Sequence, residues 1–304
     1  MKHVEILEVG PRDGLQNEDR VLDVDTRVEL INRLVSAGVR RMEAVSFVRP
    51  DLVPQMAGAE EVMAQVPHSA DVSYVGLVLN RRGAERAVET QVQELNMVVP
   101  VTDTFAMRNQ GRTVEQLLVE AAETVQIAKE AGRFASVTLA VSFGCPFEGV
   151  VSLERVEEVV RAILDMGCDE IAFADTIGVG GSRRVREFAQ MAKSLFGPEL
   201  LRFHFHNTRN TGYSNAVTAV SEAAALNMPL VIDASVGGFG GCPFAPAATG
   251  NIATEDVLYG FSVDGVSMKG NLDAVALVEH ARWLSLQLDK QVQSLIPKAG
   301  WFPA

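Results

Sequence analysis

Val4-Glu5-Ile6-Leu7-Glu8-Val9-Gly10-Pro11-Arg12-Asp13-Gly14 opens the chain with a short apolar run that breaks into a turn. Such a run reads as a strand, and Gly10 and Pro11 end it. An open, doubly wound sheet usually carries a GxGxxG phosphate turn after its first strand, and this turn has a different pattern. The alternation of short β-branched runs with longer amphipathic stretches recurs along the whole chain. Strands are predicted at residues 4–9, 41–47, 72–79, 92–99, 136–142, 170–174, 201–206 and 231–235. Helices are predicted at 25–37, 53–66, 82–90, 113–131, 153–166, 182–195 and 214–226, with two more at 254–261 and 272–288. This order implies βαβ units and parallel pairing, and about eight repeats fit a closed (β/α)8 TIM barrel better than an open sheet. No linker or low-complexity tract divides the chain. We therefore expect one catalytic domain over residues 1–304, with residues 265–304 forming a C-terminal helical extension.

The 304 residues are 47% hydrophobic and 22% charged, an ordinary globular balance that buries a large core without disulfides. Cys145, Cys168 and Cys242 are too few and too scattered for a disulfide framework or a CxxC metal pair. The first strand run starts at Val4, which leaves no room for a signal or transit peptide, so a cytoplasmic protein is expected. No apolar stretch approaches the roughly 20 residues that span a bilayer, so no membrane partner is expected. A net charge of −12 argues against nucleic acid as a partner, because no basic surplus exists to neutralise phosphates. It does not argue against an anionic small molecule, since a few arginines and a metal can govern one cleft.

Barrel chemistry sits at the carboxyl ends of the strands, and the unusual polar residues fall there. Arg12 and Asp13 follow the first strand, Glu43 and Ser46 lie on the second, and Asp175 follows the sixth. His204 and His206 end the seventh strand, while the glycine-rich run 237–241, Cys242 and Asn251 follow the eighth. Residues i and i+2 of a strand face one side, so both imidazoles could meet one ion. An isolated HxH is as often a hydrogen-bonded core pair; Asp13 at the same rim favours a metal. One carboxylate, two imidazoles and the Asn251 amide would make a mixed oxygen and nitrogen site suited to Mg²⁺ or Mn²⁺.

Arg12, beside a metal ligand, reads as an electrophilic partner for a developing oxyanion. Cys242, behind so many glycines, is either an inert thiol or an acid/base delivered by a moving loop. Cys145, next to Pro146, reads as packing. Glu43 would carry charge into the barrel, where it orients Arg12, meets substrate or forms a structural ion pair. Asp175 either orients a neighbouring group or caps a helix.

Residues 8–18 (EVGPRDGLQNE) resemble the opening motif of the 3-hydroxy-3-methylglutaryl-CoA lyase family. The resemblance continues through SFV at 46–48, VPQM at 53–56, GCPFEG at 144–149, DTIGVG at 175–180, SVGGFGGCPFA at 235–245 and GNIATED at 250–256. It implies metal ligands Asp13, His204, His206 and Asn251, with Arg12 polarising the substrate oxygen. It also implies Cys242 as the loop acid/base, with Glu43 and Asp175 in support. The implied activity is metal-dependent retro-Claisen (retro-aldol) cleavage of 3-hydroxy-3-methylglutaryl-CoA to acetyl-CoA and acetoacetate, by a homo-oligomer. The chain departs from the family pattern at Asp19, Thr138, Asn207 and Arg209. These positions are expected to flank the cleft, so they bear on the acyl group more than on the reaction type. The nearest rival is therefore a lyase for another tertiary 3-hydroxyacyl-CoA, such as citramalyl-CoA, which would release pyruvate.

Related synthases share the opening motif but usually carry further carboxyl-terminal domains. Amidohydrolase barrels place HxH on the first strand, and non-haem iron oxygenases use two histidines and a carboxylate on another fold. A barrel that only binds ligands would show no metal-dependent turnover.

Overall fold

Strand β1 (Val4–Glu8) pairs in parallel both with β2 (Arg41–Ser46) and with β8 (Leu230–Ala234), which closes the sheet on itself. Between them run β3 (Ser73–Val78), β4 (Glu94–Pro100), β5 (Phe134–Ala140), β6 (Glu170–Asp175) and β7 (Leu200–Phe205), each beside its sequence neighbours. This is the expected (β/α)8 barrel. The computed structural model describes residues 3–196, 200–241 and 250–302.

The helices are α1 (Val24–Ser36), α2 (Ala59–Gln65), α3 (Arg81–Val88), α4 (Asp103–Gln110), α5 (Val114–Glu130), α6 (Leu153–Leu164), α7 (Ser182–Leu195) and α8 (Gly212–Leu226). After β8 follow α9 (Thr254–Val263), α10 (Ala274–Leu288) and the single turn α11 (Ile296–Ala299). Helix α10 packs beside α1 in the outer ring. It runs from the base, where the Asp273 amide bonds Ala37 O, to the rim, where Lys290 pairs with Glu18. No helix among the described residues is long and apolar enough to cross a membrane.

Two helix expectations are corrected. The stretch 53–66 is a short turn, Pro54–Met56, and a separate α2, because Gly58 takes a left-handed φ of 72° between them. Helix α4 was not anticipated: its sequence, DTFAMRNQ, mixes apolar and polar residues without a clear stripe, and only Phe105 and Ala106 are buried.

The main core lies between the sheet and the helices, while Leu7, Val9, Val75 and Val231 form a separate small cluster. By strand alternation this second cluster belongs to the barrel interior, as do the buried Arg41, Glu94, Glu170, Arg202 and Asp233. Charges so deep persist only when paired, and these are.

Candidate active site

Strand β7 shows how the sequence sets the site. Phe203 and Phe205 point outward into an aromatic group with Phe143, Phe173 and Phe188. That packing fixes the phase of the strand, because a slip of one residue would move every side chain to the opposite face. Arg202, His204 and the following His206 therefore face inward. The imidazole centroids of His204 and His206 lie 5.1 Å apart.

Asp13 reaches the same place from the turn Gly10–Gly14 that follows β1. One ligand atom from each of Asp13, His204 and His206 lies within 4.8 Å of the others. His204 Nε2 and Asp13 Oδ2 are 3.9 Å apart, too long for a hydrogen bond. The Asn251 amide donates to Asp13 Oδ2 at 2.8 Å and to the Phe239 carbonyl at 3.1 Å. Its buried Oδ1 and the buried Nδ1 of His206 have no hydrogen-bond partner among the described residues. Orphaned acceptors of this kind, beside a carboxylate and two imidazoles, fit a divalent cation.

The electrostatics agree with that fit. Burial works to raise the Asp13 pKa, but Arg12 and the two histidines outweigh it and hold the carboxyl well below its usual range. Burial, with His204 beside it, pushes His206 down to about 4, so its ring is neutral near pH 7. Burial acts downward on His204 too, but its hydrogen bond to Asp233 and the charge of Asp13 lift it above the ordinary value.

Arg12 is held on two sides. Its Nε donates to Glu43 Oε2 at 2.7 Å, its Nη2 pairs with the same carboxylate, and its Nη1 donates to Asp13 at 2.8 Å. Glu43 is fully buried and also accepts from Asn96 Nδ2 at 3.1 Å, and Asn96 Oδ1 accepts from the Thr138 hydroxyl at 3.0 Å. A chain of hydrogen bonds thus runs from Thr138 on β5 to the arginine.

These groups open onto a cavity of about 1010 Å³ lined by Arg12, Asp13, His204 and His206, with Thr138 and Lys290 among its other walls. Asn251 is buried outside the cavity lining, paired through its backbone with His206. Gly240, with φ of 105°, borders the cavity: a Cβ there would sit 2.6 Å from Asn251 Nδ2 and 2.9 Å from the Asp13 carbonyl oxygen. Close approach therefore requires glycine at that point of the 237–241 run.

The remaining expected residues fall as follows. Asp175 is buried outside the cavity lining and accepts from the Val179 and Gly180 amides at 2.8 and 2.9 Å. Burial raises its pKa in spite of those bonds. Cys145 is buried with the Thr102 hydroxyl 3.2 Å from its sulfur, a packing position. Cys242 lies outside the described residues. Of the four departures, Asp19 and Thr138 line the cavity, whereas Asn207 and Arg209 do not. Asn207 instead accepts from the Gly212 amide that starts α8, and Arg209 donates to the carbonyls of Ile177 and Gly178.

Sequence reading passed over Glu8, Arg202, Asp233 and Glu255. Glu8 joins three segments: it accepts from the Gly10 and Val236 amides and from the Thr254 hydroxyl. Glu255 accepts from the Gly237 amide and from Ser294 Oγ, fixing the base of the glycine run. For Glu8, Arg202 and Asp233 the available signal was charge inside strands of a barrel, where apolar residues are the rule; Glu255, in the first turn of α9, carried no such signal.

Fold and site together define a (β/α)8-barrel enzyme with a candidate divalent-cation site at the carboxyl ends of its strands. The HMGL-like family model matches residues 3–282, so the chain belongs to the HMGL-like family and is a carbon–carbon lyase. It is 38% identical to (R)-citramalyl-CoA lyase of Chloroflexus aurantiacus, over 99% of this chain and 96% of that one. It is 37% identical to hydroxymethylglutaryl-CoA lyase of Pseudomonas mevalonii, over 91% of each. Among solved structures, the HMG-CoA lyase from Acenitobacter baumannii in complex with coenzyme A and 3-methylmalate superposes with a TM-score of 0.91. Identity there is 37%, covering 100% of this chain and 98% of that one.

Proposed function

We propose that this enzyme cleaves 3-hydroxy-3-methylglutaryl-CoA to acetyl-CoA and acetoacetate. The observation that carries the reading is Arg12, locked between Glu43 and Asp13 at the edge of the cation triad. A divalent cation, Mg²⁺ or Mn²⁺, held by Asp13, His204, His206 and Asn251, would polarise the substrate's tertiary hydroxyl and a neighbouring carbonyl or carboxylate oxygen.

Around that group the residues divide the work. When the hydroxyl proton leaves, C3 becomes a carbonyl, the C2–C3 bond breaks and its electron pair passes to the acetyl-CoA enolate. Arg12, already oriented by Glu43, offers its guanidinium to the growing oxyanion without reorganising, an effect worth several kcal/mol in a site sheltered from water. Cys242, assigned from the family resemblance as the loop acid/base, takes up that hydroxyl proton as its thiolate and returns it to C2, which closes the proton balance. Asp175 supports the site by holding the turn after β6. We read the chain as one catalytic domain over residues 1–304. The exposed Leu286, Leu295 and Phe302 near its end support a homo-oligomer.

A second reading, cleavage of citramalyl-CoA to acetyl-CoA and pyruvate, is favoured by the 38% identical relative and by the small polar wall at Thr138 and Asn96. Incubating the purified enzyme with both thioesters, with and without Mg²⁺ or Mn²⁺, and identifying the keto acid separates the two. Acetoacetate as the preferred product supports the first reading and pyruvate the second. No metal-dependent release of acetyl-CoA from either overturns both.

A further inference from the structure

Behind His204 runs a column of buried ion pairs that crosses the barrel interior. At the far end Arg41 bridges Glu94, through contacts of 2.8–3.0 Å, and Glu170, through two contacts of 2.9 Å. Glu170 also lies 3.5 Å from Arg202 Nη1. Arg202 grips Asp233 in a fork, Nε to Oδ1 at 2.6 Å and Nη2 to Oδ2 at 2.8 Å. Asp233 Oδ2 in turn stands 3.0 Å from His204 Nδ1. Arg202, Glu170 and Asp233 are all but fully buried, and Arg41 and Glu94 nearly so.

Two features turn this column into more than a structural filler. First, an ionised Asp233 can only accept a hydrogen bond, so it requires the proton of His204 on Nδ1. The lone pair is then left on Nε2, the atom that faces Asp13. His206 has no such partner on its Nδ1 among the described residues. Second, the interior charges do not balance. Arg12, Arg41, Arg202 and Lys269 face Glu5, Asp13, Glu43, Glu94, Glu170 and Asp233, leaving a formal surplus of two negative charges across the network that a divalent cation would offset.

We propose that Asp233 is a positioning residue for the metal site, and that Arg202, anchored through Glu170 and Arg41, holds it in place. Asp233 fixes both the ring angle and the tautomer of His204 before any ion arrives. Asp233 borders the cavity, but its two oxygens are taken up by Arg202 and His204, so it acts through the imidazole. This rests on the metal reading above but not on the identity of the acyl group.

The test is the Asp233→Asn enzyme, full length, with Mn²⁺ as the probe. Its amide keeps the shape of the carboxylate but can donate as well as accept. Free Mn²⁺ measured by electron paramagnetic resonance should show binding weakened by about 10–100-fold relative to wild type. Imidazole ¹⁵N spectra of the metal-free protein, taken at a pH high enough that both rings are neutral, should show His204 losing its pure Nδ1–H form while His206 keeps its signal. Either wild-type affinity or an unchanged His204 tautomer in the variant would overturn the proposal. Should the variant not fold, the spectrum of metal-free wild type decides alone, with the two histidines assigned through His206→Gln. An Nδ1–H form of His204 upholds the proposal, and an Nε2–H form overturns it. Failure of wild type to bind Mn²⁺ at all overturns the metal reading and this proposal with it, whereas wild-type binding unaffected by Asp233→Asn overturns this proposal alone.

Discussion

Arg12 and Glu43, 31 positions apart in sequence, meet inside the barrel with the guanidinium Nε 2.7 Å from a carboxylate that solvent does not reach. The pair holds a cation still at the edge of the cavity, so its worth lies in orientation. Arg12→Met should leave a folded protein with turnover reduced by about 10²–10³ or more, the range for loss of a donor to a developing oxyanion. Glu43→Gln should keep Arg12 nearby but loosen its aim, lowering kcat more than it raises KM. Steady-state kinetics with circular dichroism as a folding control checks both. Near wild-type turnover of Arg12→Met on the true substrate would remove the arginine from the chemistry.

Metal removal gives a second check, and its thermal-stability arm needs no substrate. Dialysis against a chelator should abolish turnover and leave the barrel folded, with Mg²⁺ or Mn²⁺ restoring activity. A cation that binds only the folded state stabilises it by about 2.7 kcal/mol at 100 times its Kd, so added Mn²⁺ should raise Tm measurably. His204→Ala should lose most of that rise, since it removes one of the three converging ligands. An equal rise in both proteins places the ion elsewhere.

The barrel and the triad were legible in the sequence for the same reason: strand alternation carries both. Parity alone put His204 and His206 on one side, and repeat order put Asp13 at the same rim. The support behind them was hidden. Asp233 and Arg202 sit inside runs that read simply as strands, and only the closed sheet shows that β7 and β8 bring them together. Proximity in sequence misled at Asn207 and Arg209. They follow His206 directly, yet the chain turns there and sets them to bracing α8 and the turn after β6. The junction at Gly58 carried its own signal in the glycine, whereas α4, lacking a clear apolar face, carried little.

Thr138 is the cavity residue best placed to choose the acyl group. Its side chain lines the wall and bonds Asn96, so a bulkier side chain would take cavity space there. Thr138→Tyr should fill that space and break the bond to Asn96. The ratio of kcat/KM between the methylglutaryl and citramalyl thioesters should move by about 10-fold or more, a modest 1.4 kcal/mol of differential fit. Mn²⁺ affinity should stay as in wild type. A fall in activity on both thioesters by one common factor would mean that Thr138 supports the fold without setting specificity.

Glu8 and Glu255 yield a prediction about stability with a definite sign. Burial pushes each carboxyl up to about 7, against the hydrogen bonds that favour its charged form. Between the ordinary carboxylate value near 4.5 and about 7, the folded protein therefore retains protons that the unfolded chain has released. Stability from this source is full below the lower value and is lost as pH rises through the upper one, by on the order of 3 kcal/mol for each group. Denaturant unfolding of metal-free enzyme at pH 6 and pH 8 should show the part of that loss that falls above pH 6, on the order of 1 kcal/mol for each group. Glu8→Gln should reduce it by roughly half, because a neutral amide has no proton to release. The Gln side chain offers one acceptor where the carboxyl offers two to Gly10, Val236 and Thr254, so the variant should also be less stable than wild type at pH 6. A pH dependence identical in the two proteins would show that Glu8 stays ionised across the range, its three hydrogen bonds outweighing its burial.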